Sequence, residues 1–207
     1  LTEAAAGARL SRARPWLALC ALLAAGALLS FFLFPPSLLD GQPGRWLREP
    51  WRLWTAAWVH WTPLHLAANA AGVAALALYG HAADLERRHV LAGLAAWPLT
   101  HALLAAWGPA GMAHYGGLSG VLHAGVAVAS TALLARAGLP RYVGAAVWAG
   151  LLLKLGLESP WSPWPAAAAG RDFSVATQAH AAGALAGALC ALAVEVAWGK
   201  RARCPAA

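Results

Sequence analysis

Residues 174–198 read SVATQAHAAGALAGALCALAVEVAW: one acid, Glu195, and one imidazole, His180, among small and aliphatic side chains. At 1.5 Å rise per residue a helix of that length exceeds the roughly 30 Å hydrocarbon core of a bilayer. Working back along the chain, five more apolar runs lie between charged or Pro-rich breaks, at 16–34, 62–80, 90–107, 117–135 and 141–158. The whole 207-residue chain agrees with them, being 60% hydrophobic and 11% charged, with a mean hydropathy of +0.57. Soluble domains carry about 25% charged residues, so too little polar surface is present to keep a globule in water. Three cysteines do not make a disulfide framework. A formal charge of +7 could suggest nucleic acid, but the arginines punctuate apolar runs instead of forming one basic face. The sequence predicts an all-α, polytopic membrane protein with six spanning helices and no nucleic-acid partner.

The first run follows Arg9, Arg12 and Arg14, as a signal peptide would. It is too long for a signal peptide's apolar region and shows no small-residue cleavage site before Pro35-Pro36, so it reads as a retained helix. Lys and Arg gather on the cytoplasmic side of membrane proteins. With the N-terminus inside, Arg9, Arg12, Arg14, Arg87, Arg88, Arg136, Arg141, Lys200, Arg201 and Arg203 lie inside. Arg45, Arg48, Arg52 and Arg171 lie outside, and Lys154 is in or near the fifth helix. The expected organisation is a cytoplasmic segment 1–15, a six-helix membrane domain 16–198 and a cytoplasmic basic tail 199–207, with both termini inside.

In that orientation the second, fourth and sixth helices all enter from outside, and each carries polar residues in its outer half. Ser119 stands in Gly116-Gly117-Leu118-Ser119-Gly120. Small neighbours admit a substrate backbone, and free N–H groups of a helix N-terminus suit a developing oxyanion. Gly-x-x-x-Gly is equally a packing device, the commoner meaning of such a pair taken alone. His180 shares a helix face with Gly183, Ala184 and Gly187, a smooth surface that lets a neighbouring helix come close. His65 and Asn69, four apart, offer two side-chain donors on one face, or simply an interhelical hydrogen bond. Each pair is weak alone, but polar groups at that depth are costly, so three helices bringing them to one level imply a shared site. His123, four residues after Ser119, is a rival base. A metal site and a cofactor are not expected. No His-Glu-x-x-His occurs, His60 and His65 are five apart and so off a common helical face, and Cys20 and Cys204 fall toward the inner side.

Taken together, Glu49-Pro50-Trp51-Arg52, His65-x-x-x-Asn69, Gly117-x-Ser119-Gly120 and Ala179-His180-x-x-Gly183 resemble the motifs of the rhomboid intramembrane serine proteases, in order and over roughly residues 45–190. Within that family, Gly-Leu-Ser-Gly-Val-Leu-His at 117–123 is similar to the rhombosortase branch. The resemblance implies a Ser–His dyad with Ser119 as nucleophile and His180 as general base, and His65 and Asn69 as oxyanion donors beside the Ser119 N–H. It further implies a bacterial inner-membrane enzyme whose site opens to the periplasm. Its substrates would be exported proteins with a C-terminal Gly-Gly motif, a hydrophobic helix and basic residues, the GlyGly-CTERM tail. Partners are then that transmembrane substrate and membrane lipid; the oligomeric state is left open.

The chemistry fits such a tail. An intact helix hides its carbonyls, and each Gly weakens a helix by about 1 kcal/mol relative to Ala, which opens the chain for attack. An acyl-enzyme on Ser119 could be resolved by water or by an amine, the latter transferring the substrate to an acceptor. No Asp or Glu lies near His180 along the sixth helix, so packing is expected to orient its ring. Trp46, Trp51, Trp54, Trp58 and Trp61 suggest an interfacial platform, with Trp51 and Arg52 bracing the first outer loop. Residues 161–165 are expected to cap the site, and Lys154 and Glu158 to form a local ion pair. The alternative function is a small transporter or channel with an internal polar solute site, although no internal repeat or intramembrane charge path supports it.

Overall fold

The computed structural model describes residues 3–108, 111–161 and 175–203, and among these the regular structure is helical. Six long helices fall where the apolar runs place them: α1 (Glu3–Leu33), α4 (Pro63–Ala82), α5 (Arg87–Trp107), α6 (Ser119–Leu134), α7 (Leu139–Glu158) and α8 (Thr177–Arg203). Two short ones, α2 (Pro36–Leu39) and α3 (Arg52–Thr55), lie in the connection between α1 and α4. Four of the long helices, α1, α4, α5 and α8, are long and apolar enough to cross a membrane. α6 has 16 residues, and α7 carries Arg141, Lys154 and Glu158.

The termini of these elements follow local chemistry. α4 starts where Thr62 accepts the His65 N–H on Oγ1 at 3.1 Å with Pro63 at the first helical position, satisfying one orphan donor and pre-setting the backbone. α5 starts with a reciprocal cap between Glu86 and His89. α1 is helical already from Glu3, continuing through Pro15, so its helix reaches well before the apolar span predicted from residue 16. α8 begins at Thr177 instead of residue 174.

α6 is the axis of the bundle. Twelve of its residues are buried, and α4, α5, α7 and α8 pack around it. Its contact with α8 is made by small residues. A methyl group added at Gly183 would overlap the Gly120 carbonyl oxygen, and one at Gly187 the Ala124 carbonyl oxygen. These pairings advance together along both helices, so α6 and α8 run parallel, and the carbonyl backbones approach as only glycine permits. α5 runs opposite to α8, with Ala96 packed beside Ala124 and Ala186 and His89 Nε2 bonded to Glu195 at 2.8 Å. α1 is held to α4 by the Trp16 indole, which donates to the Leu76 carbonyl at 3.1 Å.

Many large apolar side chains face outward, although a core around Trp16, Leu23, Leu85, Trp97 and Leu118 is buried. Leu29, Phe32 and Leu33 on α1, Leu78 on α4, Leu152, Leu153 and Leu157 on α7, and Leu192 and Val196 on α8 are all exposed, while alanine, glycine, histidine and threonine fill much of the interior. That distribution is the reverse of a protein dissolved in water and suits hydrocarbon as the surrounding solvent.

The α1–α4 connection is fixed by charge. Arg52, 5% exposed, donates to the Asp40 carboxylate at 2.9 Å, to the Asp40 carbonyl at 2.7 Å and to the Ser37 carbonyl at 3.1 Å, and also pairs with Glu49. Arg52 therefore braces the loop as expected. Trp51 is half exposed. The tryptophans divide their work: Trp61 is exposed, whereas Trp54 and Trp58 both pack edge-on to Trp97 of α5, at 5.3 and 5.4 Å, Trp54 remaining partly exposed.

Candidate active site

The N-termini of α4, α6 and α8 converge. His65 lies in the first turn of α4, Ser119 opens α6, and His180 lies in the first turn of α8. His180 is thus nearer its helix start than a helix from residue 174 would put it, because Val175 and Ala176 are not helical. At each helix start the leading N–H groups lack intrahelical acceptors, and the helix dipole presents positive charge. Three such ends around one point favour an anion between them.

The segment leading to Ser119 is held by backbone pairing. Tyr115 exchanges two hydrogen bonds with Gly41, at 2.7 and 2.8 Å, and the Gly117 N–H donates to the Ala56 carbonyl at 3.0 Å. Leu118, fully buried, anchors the turn into α6. Gly117 has φ +121°, a conformation that only glycine takes at ease. A methyl group there would lie 2.7 Å from His65 Nε2 and 3.7 Å from Asn69 Nδ2. His65 and Asn69, both buried, therefore border the backbone two residues before Ser119. Asn69 also donates to the His65 carbonyl at 3.2 Å.

Ser119 and His180 are brought close through their neighbours. A methyl group on Gly120 would meet the Ala179 carbonyl oxygen at 3.0 Å. His180 is 4% exposed, and its Nε2 is buried without a hydrogen-bond partner among the described residues. Its Nδ1–H donates to Glu158 Oε2 at 2.7 Å. Glu158 ends α7 and also pairs with Lys154 one turn earlier. The expected Lys154–Glu158 pair is present, but the expectation that packing alone orients His180 is corrected: a carboxylate reaches it from another helix. His123 lies against the other face of the imidazole, the two rings stacked 4.1 Å apart at 10°. Its own Nδ1–H donates to the Ser119 carbonyl at 2.6 Å, so this nitrogen is turned to the backbone.

His60 and His65 do not share a helical face, since His60 precedes α4, yet their rings meet edge-on at 4.7 Å. Burial lowers the His60 pKa against the opposing pull of its hydrogen bond to the Trp58 carbonyl. The Tyr115 hydroxyl, which donates to the Gly117 carbonyl at 3.4 Å, is pushed up by burial and stays protonated. Donor atoms of His123, Glu158 and His180 lie within 4.8 Å of one another, a spacing that could hold a metal ion. All three groups already have an atom engaged: Glu158 with Lys154 and with His180 Nδ1, and His123 Nδ1 with the Ser119 carbonyl. Residues 162–165 of the expected cap lie outside the described residues, and Trp161 is exposed.

A bundle of apolar helices around buried His65, Asn69 and His180, with half-buried Ser119 and Glu158 beside them, defines a helical membrane protein with a polar internal site. The rhomboid domain matches residues 47–195 of this chain, which belongs to the rhomboid family. That family consists of intramembrane serine proteases acting on transmembrane proteins, and this activity class comes with membership. No curated protein matches the chain.

Proposed function

We propose that the chain is an intramembrane serine endopeptidase in which Ser119 is the nucleophile and His180 the general base. The observation that carries this reading is the buried His180 Nε2, without a partner among the described residues, on the helix packed against the one that Ser119 opens. No hydrogen bond joins the two side chains; catalytic bonds of this kind commonly tighten only when substrate binds. His180 Nε2 takes the Ser119 hydroxyl proton as Oγ bonds the scissile carbonyl carbon. The oxyanion is held by the Ser119 N–H, His65 and Asn69, and the imidazolium returns its proton to the leaving amine.

The finer reading is a rhombosortase-like enzyme of a bacterial inner membrane, spanning it six times with residues 16–198 and with both termini cytoplasmic. The Gly-Leu-Ser-Gly-Val-Leu-His stretch supports it, as does the bias of Lys and Arg. Its substrates are then exported proteins with a Gly-Gly C-terminal sorting tail. An amine competing with water for the acyl-enzyme would transfer the protein to that acceptor. Mass spectrometry of a mature substrate's C-terminus distinguishes a free carboxylate from an amide. The solute-transport alternative is not favoured by membership of a protease family.

Labelling of the detergent-purified protein with a fluorophosphonate probe tests the catalytic pair. Wild type should label, and Ser119→Ala and His180→Ala should not. Labelling that survives His180→Ala and vanishes in His123→Ala moves the base to α6.

A further inference from the structure

Glu158 ends α7, and the next residue, Ser159, takes the left-handed conformation (φ 48°, ψ 65°) that stops the helix. A carboxylate at a helix C-terminus sits beside the negative end of the dipole and is disfavoured there unless cations or donors face it. Glu158 has both: the Lys154 ammonium one turn back and the His180 Nδ1–H at 2.7 Å. The second bond is in the short range of charge-assisted pairs. We propose that Glu158 is a positioning residue for His180, completing a Ser119–His180–Glu158 relay, a proposal that rests on His180 being the base.

The consequences for the ring are specific. A neutral imidazole has one N–H and one lone pair. With the N–H on Nδ1 engaged by Glu158, the lone pair lies on Nε2, the buried atom with no partner among the described residues. Stacking on His123 fixes the ring plane, and the Glu158 bond fixes its rotation within that plane. When Nε2 accepts the Ser119 proton, the imidazolium forms beside a carboxylate; the proton leaves again to the departing amine, and Glu158 stays ionised throughout. Lys154 serves Glu158 as a second cation and does not reach His180 through any hydrogen bond of its own. A resident metal ion held by Glu158 Oε2 and His180 Nδ1 would need the bond between them released, so the relay and such a metal site make opposite predictions about chelation.

The test measures fluorophosphonate labelling rates in detergent for wild type, His180→Ala, Glu158→Gln, Glu158→Asp and Lys154→Met, with and without EDTA, beside thermal unfolding. In soluble serine proteases, neutralising the carboxylate behind the histidine costs about 10⁴ in kcat. Here Glu158→Gln should lower the maximal labelling rate by about 10² or more, with the probe concentration for half-saturation little changed. Glu158→Asp should label faster than the Gln variant by about tenfold yet slower than wild type, since a shorter side chain keeps the charge but lengthens the bond. Lys154→Met should cost less than Glu158→Gln, and EDTA should change nothing. If Glu158→Gln does not fold, the Asp variant carries the test through its rate at unchanged half-saturation.

Three outcomes would overturn the inference. Glu158→Gln could label within about threefold of wild type. The Gln and Asp variants could lose rate together in step with lowered unfolding temperatures, the mark of a merely structural role. EDTA could abolish wild-type labelling. If wild type fails to label, or labels regardless of His180→Ala, the reading of the catalytic pair falls and this inference with it.

Discussion

Gly117 decides how closely two helices can approach the nucleophile. Its φ of +121° strains any other residue, and a methyl group would press on His65 Nε2 at 2.7 Å. Residues held in such regions cost about 1–3 kcal/mol. Gly117→Ala should therefore lose probe labelling by about 10²-fold, since one misplaced oxyanion donor typically costs 10²–10³. Asn69→Ala should match that loss while unfolding close to wild type, and steady-state cleavage of a transmembrane substrate would show kcat falling with KM steady. At this scale the sequence is readable where function is written in short spacings. His65 and Asn69 lie one turn apart, and Ser119 is flanked by glycine. Glu158 is invisible by the same logic, because it stands 22 residues from His180 along the chain and on a different helix. Its i+4 spacing to Lys154 offers a local explanation that hides the longer-range one.

The helix pairing depends on residues with almost no side chain. Gly183 and Gly187 let α8 lie against the α6 carbonyls, whereas Gly150 in α7 has nothing within 4 Å of where a methyl group would sit. Gly183→Val should force α6 and α8 apart; overpacking of this kind typically costs about 1–3 kcal/mol. It should lower the unfolding temperature in detergent and abolish labelling. Gly150→Ala should be neutral or raise that temperature, because replacing an interior helical glycine by alanine gains about 0.5–1 kcal/mol. The six long helices were legible from apolar runs, and so was the small-residue face on α8. Their ends were less so. Pro15 sits inside α1 instead of starting it, and the backbone before Thr177 departs from helix although its residues remain apolar and small. Hydrophobicity marks where a chain can be buried, while hydrogen bonding at each cap marks where a helix begins.

At the scale of the molecule, many apolar side chains of the described residues look outward while His65, Asn69 and His180 are kept within. The proposed orientation rests on the uneven placement of Lys and Arg and can be measured directly. In a variant lacking its native cysteines, a cysteine replacing Gln42, in the connection after α2, should react with a membrane-impermeant maleimide added to intact spheroplasts. One replacing Gly138, between α6 and α7, should react only after lysis. The reverse pattern would invert the proposed topology and put the Ser119 end of α6 on the cytoplasmic side. The parallel course of α4, α6 and α8 makes this a single decision for the molecule, since their N-termini share one face and turn together.

One contact ties this architecture to time. α7 leans on α6 along much of its length but touches α8 sparsely, and the Glu158–His180 bond is among the few links between them. Its exposed leucines, 152, 153 and 157, give it a greasy flank turned to the surroundings. A sideways slip of α7 by an ångström or two would stretch a 2.7 Å bond beyond useful range while leaving the serine untouched. On the proposed relay, whatever displaces that flank would act as a safety catch, disarming the base while the nucleophile stays in place.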